Sequence, residues 1–117
     1  IVIIATSSSG AFIHSKHLKA GAIVYDITQP RNVSNEVFKE RNDLTMIDGG
    51  LVKIPDARIN FNVGLPKGVF FGCLTETMIL SAEKEFERLS LGHIELEGVN
   101  FIQDKFNKYK FELYNAQ

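Results

Sequence analysis

The sequence predicts an α/β fold, a parallel sheet flanked by helices, within one domain spanning residues 1–117. Three observations carry that reading. Ile1-Val-Ile-Ile-Ala5, Gly21-Ala-Ile-Val-Tyr-Asp-Ile27 and Leu44-Thr-Met-Ile-Asp48 are short apolar runs without alternation, the mark of strands buried on both faces. Each run exits into a polar or glycine-containing loop, and shorter helical patterns fall between them, so strand and helix alternate. At 117 residues the chain is long enough to bury a core.

The first run ends in Thr6-Ser-Ser-Ser-Gly10, and Ala11 to Lys19 is short and mixed, room for one helical turn. The second run closes at Gln29-Pro30. Ser34 precedes Asn35-Glu36 as a helix N-cap with an acid in the first turn. The third run ends at Gly49-Gly50. Ile59, Phe61 and Val63 alternate with Asn60 and Asn62 as in a half-exposed strand. From Cys73 onward, Leu74, Met78, Ala82, Phe86 and Leu89 lie three or four apart, the stripe of a long helix closed by Gly92. Val99, Ile102, Phe106, Tyr109 and Leu113 repeat that spacing as a final amphipathic helix.

Thirteen basic and fourteen acidic side chains leave a formal charge of −1, which offers no field to steer a nucleic acid. No apolar run approaches a membrane span, and the opening run lacks the basic leader of a signal peptide. A single cysteine excludes an internal disulfide and points to a reducing, cytoplasmic compartment. The start at Ile, inside a strand, suggests a fragment of something longer.

Cys73 follows Gly72 at the start of the long helix, where unpaired amides and the positive dipole end favour a thiolate; a small buried hydrophobe is the competing reading. Glu76, one turn on, is an acid/base candidate or a dipole complement. Thr6, Ser7, Ser8 and Ser9, with Gly49 and Gly50, follow buried strands and so emerge at the edge of a parallel sheet where ligands bind, although such loops also need small residues for turn geometry alone. Asp26 reads as a loop-ordering acid, since no G-x-G-x-x-G precedes it. Glycines 64, 68 and 72 fit neither that fingerprint nor a P-loop. His14, His17 and His93 read as surface histidines rather than metal ligands, and Arg31, Lys53 and Lys67 as solvated cations.

Taken together, Ile3-Ile-Ala-Thr-Ser-Ser-Ser-Gly10, Val24-Tyr-Asp-Ile27 with Gln29-Pro-Arg-Asn-Val33, and Ile47-Asp-Gly-Gly-Leu-Val52 resemble the carboxyl half of the shikimate/quinate dehydrogenase-like Rossmann domains. Phe70-Phe-Gly-Cys-Leu-Thr-Glu-Thr-Met-Ile-Leu80 is similar to the active-site cysteine segment of the long-chain acyl-[acyl-carrier-protein] reductases. The resemblance implies a partial Rossmann-like domain lacking its glycine-rich phosphate-binding half. It further implies an oxidoreductase in which Cys73 takes an acyl group from an acyl carrier protein or acyl-CoA thioester, and NADP or NAD supplies hydride to release an aldehyde. Thr6 to Ser9 and Gly49-Gly50 would then line the nicotinamide side of the cleft. Two rival readings stand beside it: an alcohol dehydrogenase of the shikimate/quinate kind, with Cys73 as packing, and a noncatalytic module binding a nucleotide or a protein. Sheet edges left open by the missing half suggest a homodimer.

Overall fold

The computed structural model describes residues 1–88 and 92–115. It is α/β, as the apolar runs require, and its contacts divide it into two compact units, Ile1–Gly49 (with Asn115) and Gly50–Tyr114.

The first unit is a three-stranded parallel sheet in the order β1-β2-β3, with β1 at Val2–Ile4, β2 at Ile23–Asp26 and β3 at Thr45–Asp48. Val2, Val24 and Met46 share one register row, and Ile3, Tyr25 and Ile47 the next. Because successive side chains alternate faces, the first row faces one side of the sheet and the second row the other. On the first side Ile4, Val24 and Met46 pack with Leu18, Val33 and Val37, which come from the two connections between strands. Those connections carry a 3₁₀ turn at Ser15–His17, inside the stretch read as one helical turn, and helix α1 at Asn35–Glu40, which begins after Ser34 as the sequence expects. Arg41 closes α1: its guanidinium donates to both Asp43 oxygens, at 2.7 and 2.8 Å, and to the Ser15 and Leu18 carbonyls at 2.9 and 3.1 Å. The Arg41 guanidinium and the Gly21 amide hold the Asp43 carboxyl well below the usual carboxylate range.

The second unit holds a small antiparallel sheet in the order β5-β4-β6, with β4 at Leu51–Lys53, β5 at Val69–Phe71 and β6 at Glu112–Leu113. Helix α2 spans Gly72–Glu83 and α3 spans Leu96–Lys108. Here the structure corrects the sequence in four places. Residues 57–63 form no strand: the Ile59, Phe61, Val63 alternation finds no ladder partner. The α2 residues that are buried are Thr75 and Ile79, one position round from the expected stripe, while Ala82 is exposed. The Thr75 hydroxyl donates to the Phe71 and Gly72 carbonyls at 2.9 and 3.1 Å, which satisfies it and lets a polar residue face inward. The helix stops at Lys84, which adopts φ 59°, so Phe86 lies outside it and 69% exposed; Leu89 falls outside the described residues. Leu113 belongs to β6 rather than α3, because Tyr109 caps α3 and Lys110 turns the chain at φ 56°.

Glu83 ties the ends of the two helices together. It accepts from Lys105 and Lys108 at 2.7 and 2.5 Å and from the Tyr109 hydroxyl at 2.7 Å. Lys105 first, then Lys108 and Tyr109, lower its carboxyl from 4.5 to about 2. No helix among the described residues is long and apolar enough to cross a membrane.

Two outcomes follow from this packing. A Cβ on Gly49 would sit 2.0 Å from Ile27 Cγ2 and 2.4 Å from Tyr25 Cε1, so Gly49→Ala is expected to cost about 1–3 kcal/mol in urea unfolding. A carboxyl whose value is depressed in the fold stabilises above its ordinary value and ceases to do so as pH falls through its folded value. The α2–α3 pairing should therefore weaken between pH 4.5 and about 2, seen as faster amide exchange in α3, and Glu83→Gln should remove that pH dependence.

Candidate functional site

The carboxyl ends of β1, β2 and β3 deliver the side chains around which a ligand site in a parallel sheet is ordinarily built. Here those side chains are bound to one another. Asp26, 4% exposed at the end of β2, accepts on Oδ1 from the Thr28 amide at 3.0 Å and the Thr28 hydroxyl at 2.5 Å. Its Oδ2 accepts from the Asn32 and Val33 amides at 3.0 and 3.2 Å. A buried carboxylate demands such donors, and an Asp two residues before Thr is a compact way to recruit them. The sequence reading of Asp26 as a loop-ordering acid agrees with this arrangement.

Asn32, fully buried, passes the constraint on to the loop after β1. Its Nδ2 donates to the Ser8 and Gly10 carbonyls, both at 3.1 Å, and its Oδ1 accepts the Thr6 hydroxyl at 2.5 Å. Thr6 Oγ1 also receives the Ser8 amide at 3.2 Å, and Ser8 Oγ donates to the Gly10 carbonyl at 3.2 Å. Asn32 was not singled out in the sequence; the signal that could have found it is its place in Gln29-Pro-Arg-Asn32, where an amide side chain beside a turn bonds to backbone. Arg31 is engaged rather than merely solvated. Its Nη2 pairs with Asp48 Oδ2 at the end of β3, and its guanidinium lies 5.2 Å from the Phe38 ring centroid.

The six residues expected to line a nicotinamide have different surroundings. Thr6 and Ser8 are parts of the Asn32 network, whereas Ser7 and Ser9 are exposed beside them. Gly49 is buried and is glycine because Tyr25 and Ile27 occupy the space of a Cβ. Gly50 belongs to the second unit, with φ 74° and its carbonyl accepting the Gly72 amide at 2.5 Å.

In the second unit Cys73 is the second residue of α2, as the sequence predicts, with an exposed free thiol. That excludes the buried-hydrophobe reading. Glu76 is half-buried and lines a groove of about 580 Å³ with Arg88, His93, Glu95, Val99 and Ile102; Cys73 is not part of that lining. His14 bonds Glu36 through Nδ1 at 2.8 Å, which holds the Glu36 carboxyl below its ordinary value. Among the described residues no group of three or more His, Cys, Asp or Glu is arranged to hold a metal ion.

No protein-family model matches the chain. It is 31% identical over 118 positions to a protein named aminotransferase PigE from Serratia sp. (strain ATCC 39006), an alignment covering 97% of this chain. The chain spans 14% of the length of that relative. This finding corrects the expected function. The oxidoreductase and dehydrogenase readings, and with them NADP or NAD as cofactor, rested on a resemblance carried by segments between Ile3 and Val52 and by the Phe70 to Leu80 segment around Cys73. The similarity that runs through nearly the whole chain is to a transferase, named for moving an amino group rather than a hydride.

The Asp26 network sets a measurable expectation. Asp26→Ala removes a charged acceptor from four donors and should cost about 3 kcal/mol in chemical denaturation. Asn32→Ala should cost roughly 1–3 kcal/mol and speed proteolysis of the 6–10 loop.

Proposed function

We propose that this chain is an α/β segment of a larger protein of the aminotransferase kind, and that it supports the fold of that protein without itself holding the amino-carrying cofactor. The observation that supports this most is the 31% identity running through 97% of the chain to a relative seven-fold or so its length.

Amino-group transfer draws on pyridoxal phosphate, which supplies an electron sink and is held through a lysine amine, a carboxylate against its ring nitrogen and donors to its phosphate. The residues present do not fit that group. The carboxylate best placed at a strand end, Asp26, is saturated by four donors from its own loop, and Asp48 is paired with Arg31. The hydroxyls and amide beside them are likewise bonded to one another. Lys105 and Lys108 are committed to Glu83, and Lys53 is exposed on β4.

The kinship to the carboxyl half of Rossmann-like domains enters this reading as a proposal about fold ancestry alone, supported by the parallel order β1-β2-β3 and the loops at its strand ends. Of the side chains singled out in the sequence, Cys73 keeps a candidate role as an exposed thiol at a helix start, with Glu76 one turn away.

The test is made on the full-length protein loaded with pyridoxal phosphate. Borohydride reduction followed by peptide mapping is expected to place the cofactor-bearing lysine outside residues 1–117, and Lys53→Ala and Lys67→Ala to leave the visible absorbance of the bound cofactor unchanged. A labelled peptide within residues 1–117 would overturn the reading. Cys73→Ser in the same preparation reads the thiol: unchanged amino transfer makes it a bystander.

A further inference from the structure

The β1–β2–β3 sheet is covered on one side and bare on the other. Leu18, Val33 and Val37, from both strand connections, pack on the side of Ile4, Val24 and Met46. This one-sidedness follows from topology: the strands advance in one direction, and right-handed crossovers between parallel neighbours then fall on the same face. On the opposite side, the face of Ile3, Tyr25 and Ile47, Ile1 is 90% exposed, Ile3 70%, Ile23 40% and Ile27 45%. A parallel sheet is otherwise covered on both faces.

We propose that this isoleucine face seats an amphipathic helix supplied by the same polypeptide outside residues 1–117. The inference rests on the reading of the chain as a segment of a larger protein. Three observations select that occupant. Four isoleucines at these exposures offer on the order of 400 Å² of apolar surface, about half of what each partner of a stable two-protein complex buries. A patch of that size holds a tethered element, which escapes most of the entropic cost of association, better than a free second copy. Among the described residues β1 pairs only with β2, so its other edge is open to a further strand, and a parallel strand there needs a crossover. A crossover that leaves this sheet on the β3 side and returns to a strand beyond β1 travels the opposite way across it, and lies on the bare side by the same handedness rule. The relative has sequence enough to provide it, since the alignment occupies 14% of its length.

The experiment is cysteine accessibility in the full-length protein. Ile3→Cys is alkylated with a haloacetamide and read peptide by peptide against Cys73, the exposed reference thiol. The expected result is alkylation roughly ten-fold or more slower at position 3 than at Cys73 in the native protein, equal rates in urea, and bifunctional cross-links from position 3 to a helix outside residues 1–117. Equal native rates would overturn the proposal. Protection lost on dilution would overturn it in favour of a second copy, and cross-links within residues 50–114 in favour of the chain's own second unit. Ile23→Cys repeats the measurement should Ile3→Cys fail to fold. Neither result bears on where the cofactor-bearing lysine lies, so the two readings fail separately.

Discussion

A carboxylate that is 4% exposed organises the first unit. Removing Asp26 from water is tolerable only because four donors converge on it, three of them backbone amides that would themselves be costly to leave unpaired. The chain from Thr28 to Val33 is bent to supply those donors, and the bend places Asn32 where its side chain reaches Thr6, Ser8 and Gly10. The Asn32 carbonyl receives the Phe12 and Ile13 amides at 2.9 and 3.0 Å, so the following connection is fixed too. One buried charge thereby sets the path of the loop after β1, the exit of β2 and the entry to α1.

Polar side chains at the ends of parallel strands are the usual raw material of a binding site, and here Asp26, Asn32, Thr6 and Ser8 bond to one another and to the loops that carry them. The sequence shows the same residues whichever way they are used. Thr6-Ser-Ser-Ser-Gly10 reads as a ligand loop because serine, threonine and glycine suit both purposes, and only the partners of Thr6 and Ser8 separate them. Gly49 is a parallel case: glycine permits close approach, and the group that approaches is Tyr25 with Ile27 rather than a ligand.

The three parallel strands were legible because each lies in a short, largely apolar run that ends in a polar or glycine-containing loop, and α1 because Ser34 and Glu36 mark its start. The second unit was harder to read. Its strands are three, three and two residues long, too short for any period to declare itself. Its helix α2 carries Thr75 inward, so counting apolar residues places the stripe one residue off. The start of α2 at Cys73 was legible, the separate placement of Glu76 in a groove was not, since groove walls come from α3 residues distant in sequence. The functional expectation failed for a related reason: short motifs around a cysteine or a serine loop recur among unrelated chemistries, and similarity along the whole chain is the stronger guide.

The doubly apolar character of β1, β2 and β3 bears on how the sheet finds its alignment. In a sheet with one wet face, sliding a strand by one residue exchanges oil for water and is punished along its whole length. Ile1-Val-Ile-Ile feels little of that, because every position offers a branched hydrocarbon to either side. Specificity is concentrated instead at the strand ends, where Ile4, Asp26 and Asp48 stand in one row and a slip would carry a negative charge away from its donors. The sheet is keyed from its polar rim inward, so the same carboxylate that orders the rim also decides which hydrocarbon faces which.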